Sequence, residues 1–255
     1  FTKDSDGNIV DNYWKGKKLG EIWGFKTVGI AKTDEEMQSW IAQHDQSKLP
    51  NVGNNIWKAG DIMYANLDDN PAIEKGTSAT DPKDLTIIGN YTPRFRFGFS
   101  LGADYKGFDI NLMFQGVAKR DALLTDEMVQ PLRTGWYNVP KFVVNDHWSV
   151  FNTIEQNRRV RYPRYSQNSG TTTANYAVSD YWLIDGSYFR IKDITLGYTL
   201  PQRWLRKIFV KNLRLSATLS DFFTFSHFPK GWDPEVSSTG YPITKSVIFT
   251  ASIKF

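Results

Sequence analysis

A chain of 255 residues with 40% hydrophobic and 23% charged residues is not disordered by composition and is long enough to bury a core. Its net charge of +4 has no Lys/Arg run behind it, which sets nucleic-acid binding aside, and the absence of cysteine excludes a disulfide framework, thiolate zinc sites and thiol catalysis. No run of about 18 apolar residues occurs, so no transmembrane helix is expected, although alternating barrel strands escape that test.

The first 90 residues are mixed. Asp6-Gly7 marks a turn, and Leu19 to Ile30 is β-prone. Thr33 followed by Glu36 has the capping-box spacing and predicts a short amphipathic helix to about His44. An Asn/Gly-rich link and an acidic loop around Asp68–Asp84 follow. At Arg94 the pattern changes to period two. Phe95, Phe97, Phe99, Leu101, Ala103 and Tyr105 alternate with polar or small residues, Lys106-Gly107 makes a tight turn, and Phe108, Ile110, Leu112 and Phe114 continue the alternation. These runs predict one long hairpin. After a long connection, Ser-Asn-Thr-rich in part at 166–173, the pattern returns in three further strands. They carry Ile194, Leu196, Tyr198 and Leu200; then Leu213, Leu215, Ala217 and Leu219; and finally Val247, Phe249, Ala251, Ile253 and Phe255, with Ile248 off-pattern.

Two architectures fit such strands. In a soluble β-sandwich, for instance a carbohydrate-binding one, the apolar face meets a second sheet. In an antiparallel transmembrane β-barrel it meets lipid, and the polar face, with Arg94, Arg96, Asp104, Asp109 and Arg214, lines a wet lumen. Spanning strands need about 9–11 residues, whereas globular strands average about 5–6. The runs here have spanning length. Connections alternate as well. The 106–107 turn and the 200–212 link are short, while 118–187 and 221–245 are long, so all long connections fall on one side, the expected extracellular one. Five strands leave edges that cannot stay unpaired in lipid. The chain is therefore expected to be part of something larger, and Phe1, with no signal peptide, is expected not to be the natural start.

The stretch Asp180-Tyr-Trp-Leu-Ile-Asp-Gly-Ser-Tyr-Phe-Arg-Ile-Lys-Asp-Ile-Thr-Leu-Gly-Tyr-Thr-Leu-Pro201 resembles the hallmark segment of SusC/RagA-like TonB-dependent transporters. Further blocks agree in order: Gly20 to Ile30, Gly60-Asp-Ile-Met-Tyr64, Ile88-Gly-Asn90, Tyr105 to Asp109, Tyr162-Pro-Arg164, and Tyr241 to Phe255. The resemblance implies a barrel of about 22 strands, of which this chain supplies about five. Residues 94–255 would be its C-terminal strands and 1–93 mostly an extracellular loop region. It also implies a plug and TonB box N-terminal to this segment, a SusD-like surface lipoprotein acting as a lid, and an outer membrane of a Gram-negative cell as the location. Import of glycans, oligosaccharides or peptides, driven by the TonB complex, would be the function.

Nothing points to catalysis. His44, His147 and His227 are far apart, and no nucleophile elbow, phosphate loop or dinucleotide fingerprint occurs. No cofactor is expected. Asp68, Asp69 and Asn70 could hold a hard cation such as Ca2+, but the glycine of an EF-hand loop is missing and a solvated acidic turn is the plainer expectation. In the outer loops Trp136, Tyr137, Trp148 and Trp232, with Trp182 and the Phe222/Phe223/Phe225 group, could stack on sugar rings or face a lid. An interfacial girdle and loop packing are the commoner uses of such residues. Phe249, Ile253 and the terminal Phe255 resemble the signal read by the barrel-assembly machinery.

Overall fold

The computed structural model describes residues 2–3, 9–10, 17–49, 56–125, 129–130, 139, 141–164, 174–236, 240–241 and 243–255. The expected Asp6-Gly7 turn and the 166–173 loop lie outside the described residues. The chain divides into two compact units, each built from two stretches: 1–92 with 121–184, and 93–120 with 185–255.

The first unit holds short antiparallel pairs. β1 (Thr2–Lys3) pairs with β2 (Ile9–Val10), β3 (Glu21–Phe25) with β8 (Leu85–Asn90), β4 (Thr27–Ile30) with β5 (Ile62–Tyr64), and β6 (Lys75–Ser78) with β7 (Asp81–Lys83). One helix of ten residues, α1 (Asp34–Gln43), starts at Thr33, whose hydroxyl accepts from Glu36 N. Glu36 does not close the box onto Thr33. Its carboxylate reaches one residue further and accepts from Lys32 N at 2.6 Å. Only Met37 of this helix is fully buried, consistent with a mostly polar helix lying at the surface.

The core of the first unit forms around β5. Ile62, Tyr64, Met37, Ile73 and Ile22 are essentially without exposure, and Phe25 packs edge-on against Tyr64 at 5.5 Å. Such a core, drawn from distant short strands, can exist only if their backbone groups find partners. Buried polar side chains supply them. Gln46 accepts from Tyr64 N at 2.7 Å, and Asn175 accepts from Ile62 N at 2.8 Å.

The second unit is one antiparallel sheet of five strands in the order β15-β14-β13-β10-β9. They are β9 (Phe95–Tyr105), β10 (Phe108–Ala118), β13 (Tyr188–Thr199), β14 (Asn212–Ser226) and β15 (Ser246–Lys254). A further small pair, β11 (Asp121–Leu123) with β12 (Leu183–Asp185), belongs to the 121–184 stretch of the first unit except for Asp185. The hairpin of β9 and β10 turns at Lys106 and Gly107, both at positive φ (50° and 88°), the backbone that a two-residue turn needs to match strand twist. At about 3.3 Å per residue, an eleven-residue strand such as β9 extends roughly 36 Å. Two strands run longer than their simple alternation indicates. β13 begins at Tyr188 rather than near Asp193, and β14 continues past Ser220 to Ser226. Both extensions cross register shifts, at 191/193 on β13 and opposite them on β14.

Candidate functional site

Register assigns each side chain of the five-stranded sheet to one of two faces. On one face the rows running across the sheet are apolar throughout. Leu101, Leu112, Ile194, Leu219 and Val247 form one row, and Ala103, Ile110, Leu196, Ala217 and Phe249 the next. Toward the 106–107 turn comes Tyr105, Phe108, Tyr198, Leu215 and Ala251; toward the other end come Phe99, Phe114, Ile191 and Phe223, then Phe97, Gly116, Phe189 and Phe225. An aliphatic belt is thus flanked by aromatic bands. The rings touch along the bands: Phe99–Phe114 centroids are 4.6 Å apart, Phe114–Phe189 5.7 Å and Phe108–Tyr198 4.4 Å. This face is uncovered, with Leu101 56%, Leu196 55% and Phe249 82% exposed. A shallow groove crosses it between Tyr105, Phe108, Leu196, Leu215 and Phe249. Its wall is almost entirely apolar, unlike a site that orients a water-soluble ligand through converging polar groups.

The other face is polar and internally paired. Asp109 on β10 and Arg214 on β14 form a two-point ion pair (2.9 and 2.5 Å) that passes over Gly197 of the strand between them. Thr195 and Thr218 hydroxyls meet at 2.9 Å, and Ser220 donates to Asp193 at 2.5 Å. Further along, Arg190 has no exposed surface. Its guanidinium reaches Asp233 at 2.5 Å, Glu235 at 2.7 Å and Asp221 at 3.4 Å, and Lys192 binds the two Asp221 oxygens at 2.9 Å. Asp221 occupies a position that strict alternation would send to the apolar face. The bulge and a left-handed φ of 60°, tolerated by Asp better than by most residues, turn its carboxylate toward Arg190 and Lys192 instead. Sequence reasoning missed Arg190 and its partners. The available signal was the slip in phase from Phe189 and Ile191 to Ile194 and Leu196, which marks a bulge.

In the first unit the centre is Asp61, fully buried. Arg164 pairs with both its oxygens at 2.8 and 2.9 Å, Asn175 donates at 2.9 Å, and Lys58 N donates at 2.9 Å. Burial nevertheless pushes the Asp61 carboxyl above the usual aspartate value, against the pull of Arg164. Tyr64 donates to Ala174 O at 2.7 Å, and burial raises its phenol. Asp180 accepts from both Thr27 N (2.9 Å) and the Thr27 hydroxyl (2.7 Å). These contacts join blocks far apart in sequence: Gly60–Tyr64 to Tyr162–Arg164, and Gly20–Ile30 to the segment starting at Asp180.

The expected site residues are placed as follows. Asp68 Oδ1 and Asn70 Oδ1 face their own loop, accepting from Asn70 N at 2.8 Å and Ala72 N at 3.2 Å, while Asp69 is exposed. The buried Asp84 staples this loop by accepting from Leu67 N and Glu74 N at 2.7 and 2.9 Å. Among the described residues no three His, Cys, Asp or Glu side chains converge to hold a metal ion. Trp148 lies with its ring against Gly60, its backbone N–H bonded to Tyr162 O, so it packs the Asp61 region. Trp182 is a core residue, 4% exposed, donating to Asn175 O at 2.8 Å. Trp232 is half-buried in the second unit. Trp136 and Tyr137 lie outside the described residues. Phe223 and Phe225 stand on the apolar face of β14, not in a loop. Phe249 and Ile253 stand on the same face of β15, and Phe255 is exposed at its end.

The chain is mostly antiparallel strand, and its five-stranded sheet has one continuous apolar face and one ion-paired polar face. No family model matches the chain. Among curated proteins, TonB-dependent receptor P3 of Formosa agariphila is 34% identical over 223 residues, covering 88% of this chain and 19% of the receptor. TonB-dependent receptor P39 of the same organism is 22% identical over 290 aligned positions, covering 99% of this chain and 27% of the receptor. The chain thus spans about a fifth to a quarter of the length of these relatives. Its fold is similar to that of the RagAB peptide transporter, with a TM-score of 0.58 at 20% identity, covering 95% of this chain and 23% of that one. It is likewise similar to the RagAB peptide importer in the open-open state, with a TM-score of 0.55 at 20% identity, over 91% and 22% of the two chains. Over the stretch that it matches, the chain is similar in sequence to TonB-dependent receptors and in fold to the RagAB structures.

Proposed function

We propose that this chain is part of the wall and outer loops of a TonB-dependent outer-membrane transporter. The observation that carries the reading is the apolar face. Its belt of aliphatic rows between aromatic bands, uncovered over five strands, is what a barrel presents to lipid and its interfaces. A sandwich would cover that face with a second sheet. The polar face then lines the lumen, with its charges paired across strands.

The strands β9 and β15 form the two edges of the sheet, and in lipid their free backbone groups need partners. Further strands of the same transporter would supply them, closing a barrel of about 22 strands. Five of those are roughly a quarter, which accords with the share of RagAB that this fold covers. In this reading Phe249, Ile253 and Phe255 of β15 form the assembly signal. The first unit and the long loops meet a SusD-like lipoprotein and shape the substrate chamber. The cargo is an oligosaccharide or a peptide, and the TonB complex acts on a plug outside this segment.

The test is the behaviour of the full-length receptor extracted from outer membrane. A polypeptide several times the 29.3 kDa of this chain, soluble only with detergent and shifting in gel mobility on boiling, is the expected result. If the 255 residues alone formed a folded monomer in water without detergent, the proposal would fail.

A further inference from the structure

The segment Pro229–Val236 lies against the polar face of the five-stranded sheet, and side chains hold it there. Asp233 and Glu235 both bind the buried Arg190, at 2.5 and 2.7 Å. The Tyr188 hydroxyl donates to Glu235 at 2.5 Å, and Gln115 donates to the same carboxylate at 3.2 Å. Arg120 donates to Pro234 O at 2.8 Å, and Pro234 is buried. Two strands thus contribute to the hold, β10 through Gln115 and β13 through Tyr188 and Arg190, together with Arg120, two residues past the end of β10.

The segment's own backbone takes no part in the sheet. Among the described residues its backbone N–H bonds are internal: Trp232 N to Pro229 O at 3.1 Å, Val236 N to Asp233 O at 3.2 Å, and Glu235 N to the Asp233 carboxylate at 2.9 Å. Detachment would therefore break no ladder bond. It would also leave Arg190 a counter-charge, because Asp221 belongs to β14 and stays, held by Lys192. The wall can thus survive without the segment, whereas the segment's hold is concentrated on the carboxylates of Asp233 and Glu235, with Arg120 on Pro234 O the one further bond described. Charge-assisted contacts of this kind are strong when made and fail abruptly when one charge is removed.

We infer that Pro229–Val236 is a detachable strap, latched to the polar face through Asp233 and Glu235 on Arg190, and that it comes away as a unit when those carboxylates lose their charge. For its functional sense the inference rests on the transporter reading. If the polar face lines the lumen, the latched strap narrows the passage and the released strap widens it.

Hydrogen exchange followed by mass spectrometry on the full-length receptor in detergent tests this. The doubly neutral variant Asp233→Asn with Glu235→Gln keeps the oxygen that accepts from Glu235 N, so the strap's internal turn is retained. Its amides at Trp232, Glu235 and Val236 are expected to exchange about tenfold faster than in the unchanged receptor, while a peptide covering 212–220 keeps its rate. Strap exchange at the unchanged rate would overturn the latch. Should the double variant fail to assemble, Glu235→Gln alone leaves Asp233 on Arg190, and a rise in strap exchange confined to 229–236 is expected; no rise would again overturn it. A detergent-dependent barrel whose strap ignores its charges sinks the latch alone. A water-soluble receptor with a charge-dependent strap sinks the transporter reading alone.

Discussion

Asp109 and Arg214 stand on strands that are not neighbours, and their two-point ion pair closes over Gly197 of the strand between them. A side chain at Gly197 would enter the space they occupy, since an added Cβ would fall on the Arg214 guanidinium and the Asp109 carboxylate. Gly197→Val is expected to force the pair apart at a cost of about 1–3 kcal/mol, the usual range for overpacking. The fraction of full-length receptor that keeps heat-modifiable mobility should drop accordingly. In an Asp109→Ala background the same substitution should cost less, and equal costs would mean that the pair is not what Gly197 accommodates.

The two faces of the sheet should respond oppositely to charge. Leu112 and Thr218 lie in adjacent rows near the middle of the wall, on the apolar and polar faces respectively. Leu112→Arg is expected to cost roughly 2–4 kcal/mol if that face meets the bilayer near its midplane, while Thr218→Arg is tolerated. Urea titration of the receptor folded into lipid vesicles gives both numbers. Equal tolerance at both positions would contradict a lipid-facing belt.

The end of β15 offers a separate test. Phe249 is 82% exposed and Phe255 76%, so neither contributes much packing within this chain. Phe255→Ala should therefore leave the folded receptor's stability close to unchanged, yet reduce the amount that reaches the outer membrane several-fold. Quantitative blotting of outer-membrane fractions against total receptor separates the two effects. Ile248→Thr, on the polar face, should change neither.

Removing one partner of the Asp61–Arg164 pair should be costly, because Asp61 is fully buried and the Arg164 side chain is 19% exposed. Asp61→Asn preserves shape but removes the buried charge that pairs with Arg164, with an expected loss of about 3–5 kcal/mol. Limited proteolysis around Asp61 and Arg164 would register it. The pH dependence has a definite sign. The folded carboxyl lies above its ordinary value of 3.8, so the folded state holds this proton more tightly than the unfolded state. Its contribution to stability is full below 3.8, falls as pH rises through the window up to the raised value, and is flat above it. Asp61→Asn should abolish that slope, and a slope that persists would belong to other groups.

Much of the wall was legible from sequence because a strand has a side-chain period of two. Phe95 to Phe114 and Leu213 to Leu219 announce a face directly, and a tight turn such as Lys106-Gly107 follows from its residue types. The Thr33 cap is similarly local. Bulges were less visible. The slip between Ile191 and Ile194 hides six residues of β14 beyond Ser220, so that simple alternation ends the strand where its phase merely shifts. The interleaving of the units was not legible at all, since nothing in the composition of 121–184 says that it packs with 1–92.

The sequence by itself determined which residues share a strand face, where the helix of the first unit begins, and the family blocks. All of these depend on neighbours a few positions apart. Only the tertiary structure decided who meets whom at long range: Asp61 with Arg164 across 103 positions, Asp109 with Arg214 across 105, and Arg190 with Asp233 across 43. A carboxylate and a guanidinium carry no address in the chain. Strand order and register bring them together, and burial then makes each pairing obligatory, because a charge removed from water without its partner is too costly to keep.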